Sequence, residues 1–290
     1  MKYTVIAMFS ALCLLASCSE KDGGDIFDVP QTGYTLFEAD FEDVSLAGDE
    51  MAAVWSKDLA IGVFGSQAGI NEKYTLKKAY DGKAAGEFYG PLVKGDMIMA
   101  YYPYSESYAL YDGSLAYTLA PNQAYTAEKT FMRQFEDYAG YVYAFNDSDN
   151  RLRFRYANGL LSIRFAFEIP VTVLSLQLVS ENEIAGQGKL NQDMSVEFGA
   201  GGVRTVKVDC GQGIISKTEQ GFAEYPVVLP AGTYDDITLV VKVEGGNDIV
   251  NELDSFEIDR ISVGDYDVTE VTVSTSGLGG FEIEGGLDFD

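Results

Sequence analysis

Apolar residues recur at every second position in short runs along most of this chain, a period that fits extended strands with one face buried. In RLRFRY (151–156), Leu152, Phe154 and Tyr156 oppose Arg151, Arg153 and Arg155, and in LSIRFAF (161–167), Ile163, Phe165 and Phe167 oppose Ser162, Arg164 and Ala166. The same pattern sets Leu59, Ile61 and Val63 on one side, and likewise Ile237, Leu239, Val241 and Val243, and Val271 with Val273. Gly65, Pro103, Asn158-Gly159, Gly232 and Gly245-Gly246 punctuate the runs, and Asn158-Gly159 reads as a two-residue hairpin turn. FGAGGV (198–203) also reads as a turn, because no Gly-Lys-Ser/Thr ending or helical pattern follows it. A short helix is expected within 129–138, and no segment carries a sustained 3.6-residue apolar stripe. Many short strands with turn punctuation predict an all-β chain of β-sandwiches. The length suits two of them, 34–148 and 149–290, divided at the polar segment NDSDN (146–150).

The first residues say where such a chain would live. Lys2 precedes fifteen residues, Tyr3 to Ser17, without a charge. That is too short for a bilayer span, which needs roughly 20 residues, but suits a secretory signal. Leu15-Ala16-Ser17-Cys18 resembles a bacterial lipobox, which would remove residues 1–17 and leave Cys18 as an acylated first residue. The alternative is a plain signal peptide with an incidental cysteine. Each buried CH₂ of an acyl chain contributes about 0.8 kcal/mol, so two or more chains would hold Cys18 stably in the outer membrane. Residues 18–33 would form a tether. Its Glu20, Asp22 and Asp25 resemble the acidic surface-export signal of Bacteroidetes lipoproteins, although a solvated spacer facing the periplasm fits them too.

Composition excludes several functions. A net charge of −25 repels phosphate backbones and argues against nucleic acid as a partner. The chain contains no histidine, which removes Ser-His-Asp and Cys-His nucleophile systems and the common zinc sites. With Cys13 in the signal and Cys18 acylated, Cys210 has no disulfide partner and reads as a core residue, in phase with Val206 and Val208. Asp147-Ser148-Asp149-Asn150 starts like a calcium loop but continues with Arg151, Leu152 and Asn158 at its fifth, sixth and twelfth positions, so it reads as a linker. No catalytic residue, metal site or cofactor is assigned, since among 45 carboxylates some pair must fall at glycosidase spacing by chance. Tyr101, Tyr104, Tyr108 and Tyr111 form a tyrosine-rich stretch that serves either as strand packing or as a glycan-contact surface. The arginines at 151, 153 and 155 either pair with nearby carboxylates or form a docking stripe for an acidic partner, another copy included.

The order of several motifs resembles the Bacteroidetes fimbrillin (Mfa-like) family: WSKDLAIGVF (55–64), AYYPYS (100–105), LRFRYANGLLSI (152–163) and YPVVLPAGTY (225–234). Tyr156 departs from the histidine that many members carry there. The resemblance implies two tandem transthyretin-like β-sandwich domains and a fimbrial anchor, stalk or tip subunit, or a stand-alone surface protein, acting by strand exchange with other subunits or itself. It further implies a removable first strand, for which TLFEADF (35–41) with Phe37, Ala39 and Phe41 on one face is the candidate, and a donor tail, for which Phe281 and Ile283 are the candidates. Stalk subunits of that family are cut after arginine, whereas this chain has none before Arg133. Lys57 would suit a lysine-directed protease, but lies within the matching stretch. The runner-up reading is a glycan-binding surface lipoprotein using the 101–117 tyrosines, with a host surface or glycan as ligand.

Overall fold

A computed structural model describes residues 33–41, 55–56, 58, 60–67, 69–128, 131–138, 140–146, 149–167, 170–218, 221–245, 248–253, 255–258, 269–275 and 281–283. The expected signal segment and Cys18 lie outside them. The architecture is all-β, as the alternation requires, and the one α-helix among the described residues, Phe131–Tyr138, falls where the sequence suggested.

The first sheet has seven strands in the order Arg151–Phe154, Tyr34–Phe41, Ala85–Pro91, Glu72–Leu76, Ala60–Gly65, Ile98–Tyr102 and Val142–Asn146. Its two outer strands meet through reciprocal backbone hydrogen bonds of 2.9 Å between Tyr143 and Arg155, so the sheet curls onto itself. Phe37, Trp55, Tyr74, Phe88 and Phe154 fill the interior. A larger core, containing Phe165, Tyr225, Leu176 and Leu239, is enclosed by three larger sheets and by the two-stranded pair of Gly232–Tyr234 with Phe256–Ile258. One orders Glu224–Pro230, Asn158–Phe167, Thr269–Thr275 and Phe281–Ile283. A five-stranded sheet orders Ile249–Leu253, Ile237–Val243, Thr172–Val179, Thr205–Ile215 and Asn122–Ala124, and the last orders Val196–Val203, Ala185–Leu190, Ser114–Leu119 and Leu110–Tyr111.

Strand alternation lets three strands serve both cores. Ile61 and Val63, Ala100, and Val142 with Ala144 face the first core, while Phe64, Met99 with Tyr101, and Tyr143 face the larger one. Ala60–Gly65 is consequently buried along its whole length and not on one face only. Sheet membership also departs from chain order around 146–150. Strands 110–124 join the sheets of the larger core, and Arg151–Phe154 joins the first.

Two local expectations are corrected. Asn158-Gly159 is no hairpin turn but the start of a ten-residue strand. The flanking runs enter different sheets, and the buried Asn158 Oδ1 accepts a 2.5 Å hydrogen bond from the Tyr117 hydroxyl. FGAGGV is likewise strand, the end of Val196–Val203. Its glycines permit close approach, since a Cβ at Gly199 would lie 1.9 Å from the Tyr111 hydroxyl and one at Gly202 would lie 2.7 Å from Glu183 Cγ.

The outer edge of Glu224–Pro230 shows how the YPVVLP sequence closes a sheet. Val228 turns both backbone groups away from Asn158–Phe167, and the buried Gln123 amide pairs with them, donating to Val228 O at 2.8 Å and accepting from Val228 N at 3.0 Å. Pro226 and Pro230, two residues to either side, have no N–H to leave unpaired on that edge. Gln123→Leu should therefore lower stability by about 2–4 kcal/mol, because two buried backbone groups lose their partner at ~1–3 kcal/mol each. Urea unfolding reads this as a lower midpoint at unchanged slope. An unshifted midpoint would remove Gln123 as a determinant of the edge.

Candidate functional site

Tyr34–Phe41 lies inside the first sheet, antiparallel to Ala85–Pro91 on one side and parallel to Arg151–Phe154 on the other. Its inward residues alternate as the sequence suggested. Phe37 and Ala39 are each 2% exposed, and Phe41 stacks on Trp55 with ring centroids 4.1 Å apart. Leu36 and Tyr34 face outward and are exposed. The small residue at 39 has a steric cause. It sits opposite Gly86, where a Cβ would meet Leu76 Cδ1 at 2.7 Å and Trp55 Cδ1 at 2.9 Å, so that rung is already full. The strand thus occupies a slot that takes a large, a small and a large side chain in succession.

Polar pairing weakens toward the end of this strand. Arg151 pairs with Asp40 Oδ2 at a half-exposed site, where an ion pair contributes little. Asp40 Oδ1 and the Trp55 indole Nε1 are buried without a hydrogen-bond partner, each costing roughly 1–3 kcal/mol. Without this strand, Ala85–Pro91 and Arg151–Phe154 would each present a row of unpaired backbone groups flanking an apolar slot, an acceptor for any extended segment of matching pattern.

At the other end of the chain, Phe281–Ile283 is the outermost strand of its sheet. It pairs antiparallel with Thr269–Thr275, which itself runs parallel to Asn158–Phe167. The sequence-designated first strand and tail are thus placed in different sheets and are not brought together within this chain.

The tyrosine stretch is largely packed inward. Tyr101 is fully buried, its hydroxyl donates to Ser105 O at 2.8 Å and receives Asn71 Nδ2 at 2.9 Å, and its ring stacks on Tyr108 at 3.8 Å. The Tyr108 hydroxyl donates to Ala116 O, and burial pushes the Tyr101 and Tyr108 hydroxyls above the usual range. Tyr104 and Tyr111 are half-buried, with the Lys73 ammonium 5.4 Å from the Tyr104 ring. In the basic segment, Arg151 pairs with Asp40, Arg164 pairs with Glu224, and Arg153 is exposed.

Cys210 is buried, as its phase suggested, and desolvation, with Asp209 adding to it, pushes its thiol up to about 12. It should resist maleimide at pH 8 in the native protein and react once urea is added. Rapid native labelling, followed by mass spectrometry, would contradict this packing. Among the described residues no cluster of three or more Cys, Asp or Glu side chains could hold a metal, and no helix is long and apolar enough to cross a membrane. Sequence reasoning missed Gly86, Trp55 and Leu76 as the residues that size the slot. The only signal was a glycine within the period-2 run of Ala85–Pro91.

No protein-family model matches the chain, and no curated protein matches it. Solved structures do. A candidate cell adhesion protein from Bacteroides ovatus superposes with a TM-score of 0.53 at 13% identity, covering 87% of this chain and 96% of that one. The tip fimbrial protein Mfa3 of Porphyromonas gingivalis gives 0.41 at 11% identity, over 87% of this chain and 97% of that one. The fimbrial anchor protein Mfa2 of the same organism gives 0.44 at 12% identity, over 86% and 94%. The chain therefore shares the fold of the Bacteroides ovatus protein over 87% of its length.

Proposed function

We propose that this chain is a non-enzymatic fimbrial or adhesion subunit of the bacterial surface, carried to the outer membrane as a precursor acylated on Cys18 and joined to other subunits by strand exchange once its first strand is removed. The observation that carries the reading is the interior placement of Tyr34–Phe41. The strand nearest the N-terminus among the described ones fills a slot between two strands that could pair equally with an extended segment of another subunit. The cell adhesion description of the Bacteroides ovatus protein agrees with this, as does the sequence resemblance to fimbrillins.

The tail pattern adds support. Phe281, Ile283, Gly285 and Leu287 alternate along the C-terminal sequence as Thr35, Phe37, Ala39 and Phe41 do along the first strand. In that register Gly285 takes the crowded rung beside Gly86, and Ile283 and Leu287 take the two large positions. Among the described residues, release of the donor requires the three-residue strand Phe281–Ile283 to leave its own sheet.

Intact mass and gel analysis of surface-shed material test this. Assembled chains should lack the first strand and run as polymers stable in mild SDS, and deletion of 276–290 should abolish them. Polymers made of chains that still begin at Cys18 would contradict exchange at this slot. A fatty-acid probe that leaves the chain unlabelled would contradict the anchor. A glycan surface at the tyrosine stretch is the weaker reading, since Tyr101 and Tyr108 cover each other's rings.

A further inference from the structure

A cavity of about 210 Å³ opens where the segment 180–184, the strand Val196–Val203 and the turn 230–235 converge. Its apolar wall is made by Ile184, Val196, Phe198 and Tyr234. Tyr234 is fixed there by its hydroxyl, which donates to Pro230 O at 2.7 Å, and by stacking on Phe256 at 5.5 Å. Phe198 is half-buried, its ring edge-on to Tyr117 at 5.9 Å. Around the mouth stand Asn182, Glu183, Thr233 and Asp235, all exposed. No lysine or arginine lines the cavity.

Three properties select a ligand. The volume falls below the roughly 300–1,000 Å³ of sites for drug-sized molecules, so one ring fits and an extended cofactor does not. The rim is rich in acceptors, which favours a ligand rich in donors. It carries two carboxylates, Glu183, loosely paired with the exposed Arg204 at 3.7 Å, and Asp235, which accepts from the Ser255 hydroxyl, so the rim keeps a net negative charge that disfavours an anion. A hydroxyl-rich ring with an apolar face meets all three conditions.

We propose that this cavity binds a single sugar ring, uncharged or bearing an amino group, at the end of a glycan, with Phe198 and Tyr234 forming the apolar wall and Glu183, Asp235 and Asn182 receiving its hydroxyls. Sugar acids are rejected by the same two carboxylates. The site involves neither the first strand nor the tyrosines of 101–111, so it stands or falls independently of strand exchange.

Saturation-transfer NMR on the detergent-solubilised full chain tests it, with the methyl glycosides of glucose, galactose, glucosamine and glucuronic acid as probes. At least one of the first three should bind saturably, on the order of millimolar, and glucuronic acid should not. Thr233→Trp, which fills the mouth from an exposed position, should abolish the signal, and Phe198→Ala should weaken it roughly tenfold. The pair Glu183→Gln and Asp235→Asn should keep the neutral sugar and admit glucuronic acid. Absence of saturable binding by all four probes, equal binding of glucuronic acid by the parent, or binding indifferent to Thr233→Trp would each overturn the proposal.

Discussion

A chain carrying Glu38→Cys and Glu87→Cys should form no SDS-stable polymer when oxidised and should regain polymerisation when reduced. The prediction comes from the register. Glu38 lies directly opposite Glu87 in the antiparallel pair. Glu38 N donates away from that pair, to Asn150 O at 2.7 Å, and Glu87 O turns the other way to accept from Lys77 N at 2.9 Å. The two residues thus form a non-hydrogen-bonded rung, where Cα atoms stand about 4.5 Å apart, inside the range a disulfide spans. Both side chains alternate to the outer face, so bridging them leaves the slot's packing intact. A strand sewn to its neighbour cannot be replaced, even after a protease cuts beyond it. Oxidised chains that still polymerise would end the strand-exchange reading. Loss of the Glu87 pairing with Lys77 and Tyr80 is a small side effect, shared by the reduced control.

Phe37→Ala should destabilise the protein by about 3–5 kcal/mol, the usual cost of emptying a large core position. Phe37 is 2% exposed and packs on the Tyr74 ring with centroids 5.4 Å apart. Leu36→Ala, one residue earlier on the same strand, should cost less than about 1 kcal/mol because Leu36 is 37% exposed. Urea titration of the two variants measures the contrast between the faces. Equal losses would mean that the strand is not seated as described, and the slot would lose its sequence code.

Alternation in the sequence was enough to indicate an all-β chain because side-chain direction in a strand depends only on residue parity. It correctly set Leu152 and Phe154 inward, and Ile237, Leu239, Val241 and Val243 on one buried face. It also selected Phe37, Ala39 and Phe41 as one face of a strand. Partnership was not legible. Asn158-Gly159 has the composition of a hairpin turn, but whether its flanking runs pair depends on contacts more than a hundred residues apart, such as Arg151–Phe154 with the first strand. FGAGGV was misread for a related reason. Glycine marks both a turn and a strand pressed against something, and the Tyr111 hydroxyl that presses on Gly199 is 88 positions away. Gln123 carried no signal either, since nothing local distinguishes an amide that completes a distant sheet edge from a solvated one. The cavity beside Tyr234 draws on segments near 182, 198 and 233, whose convergence is a property of the fold alone.

Ala60–Gly65, Ile98–Tyr102 and Val142–Asn146 present one face to each core, and this has a mechanical consequence. A pull along the molecule should not peel one half away while the other stays whole, because the partition between them is made of strands common to both. Under tension the subunit should yield once, as a single link, and a filament of such links would lengthen in uniform steps.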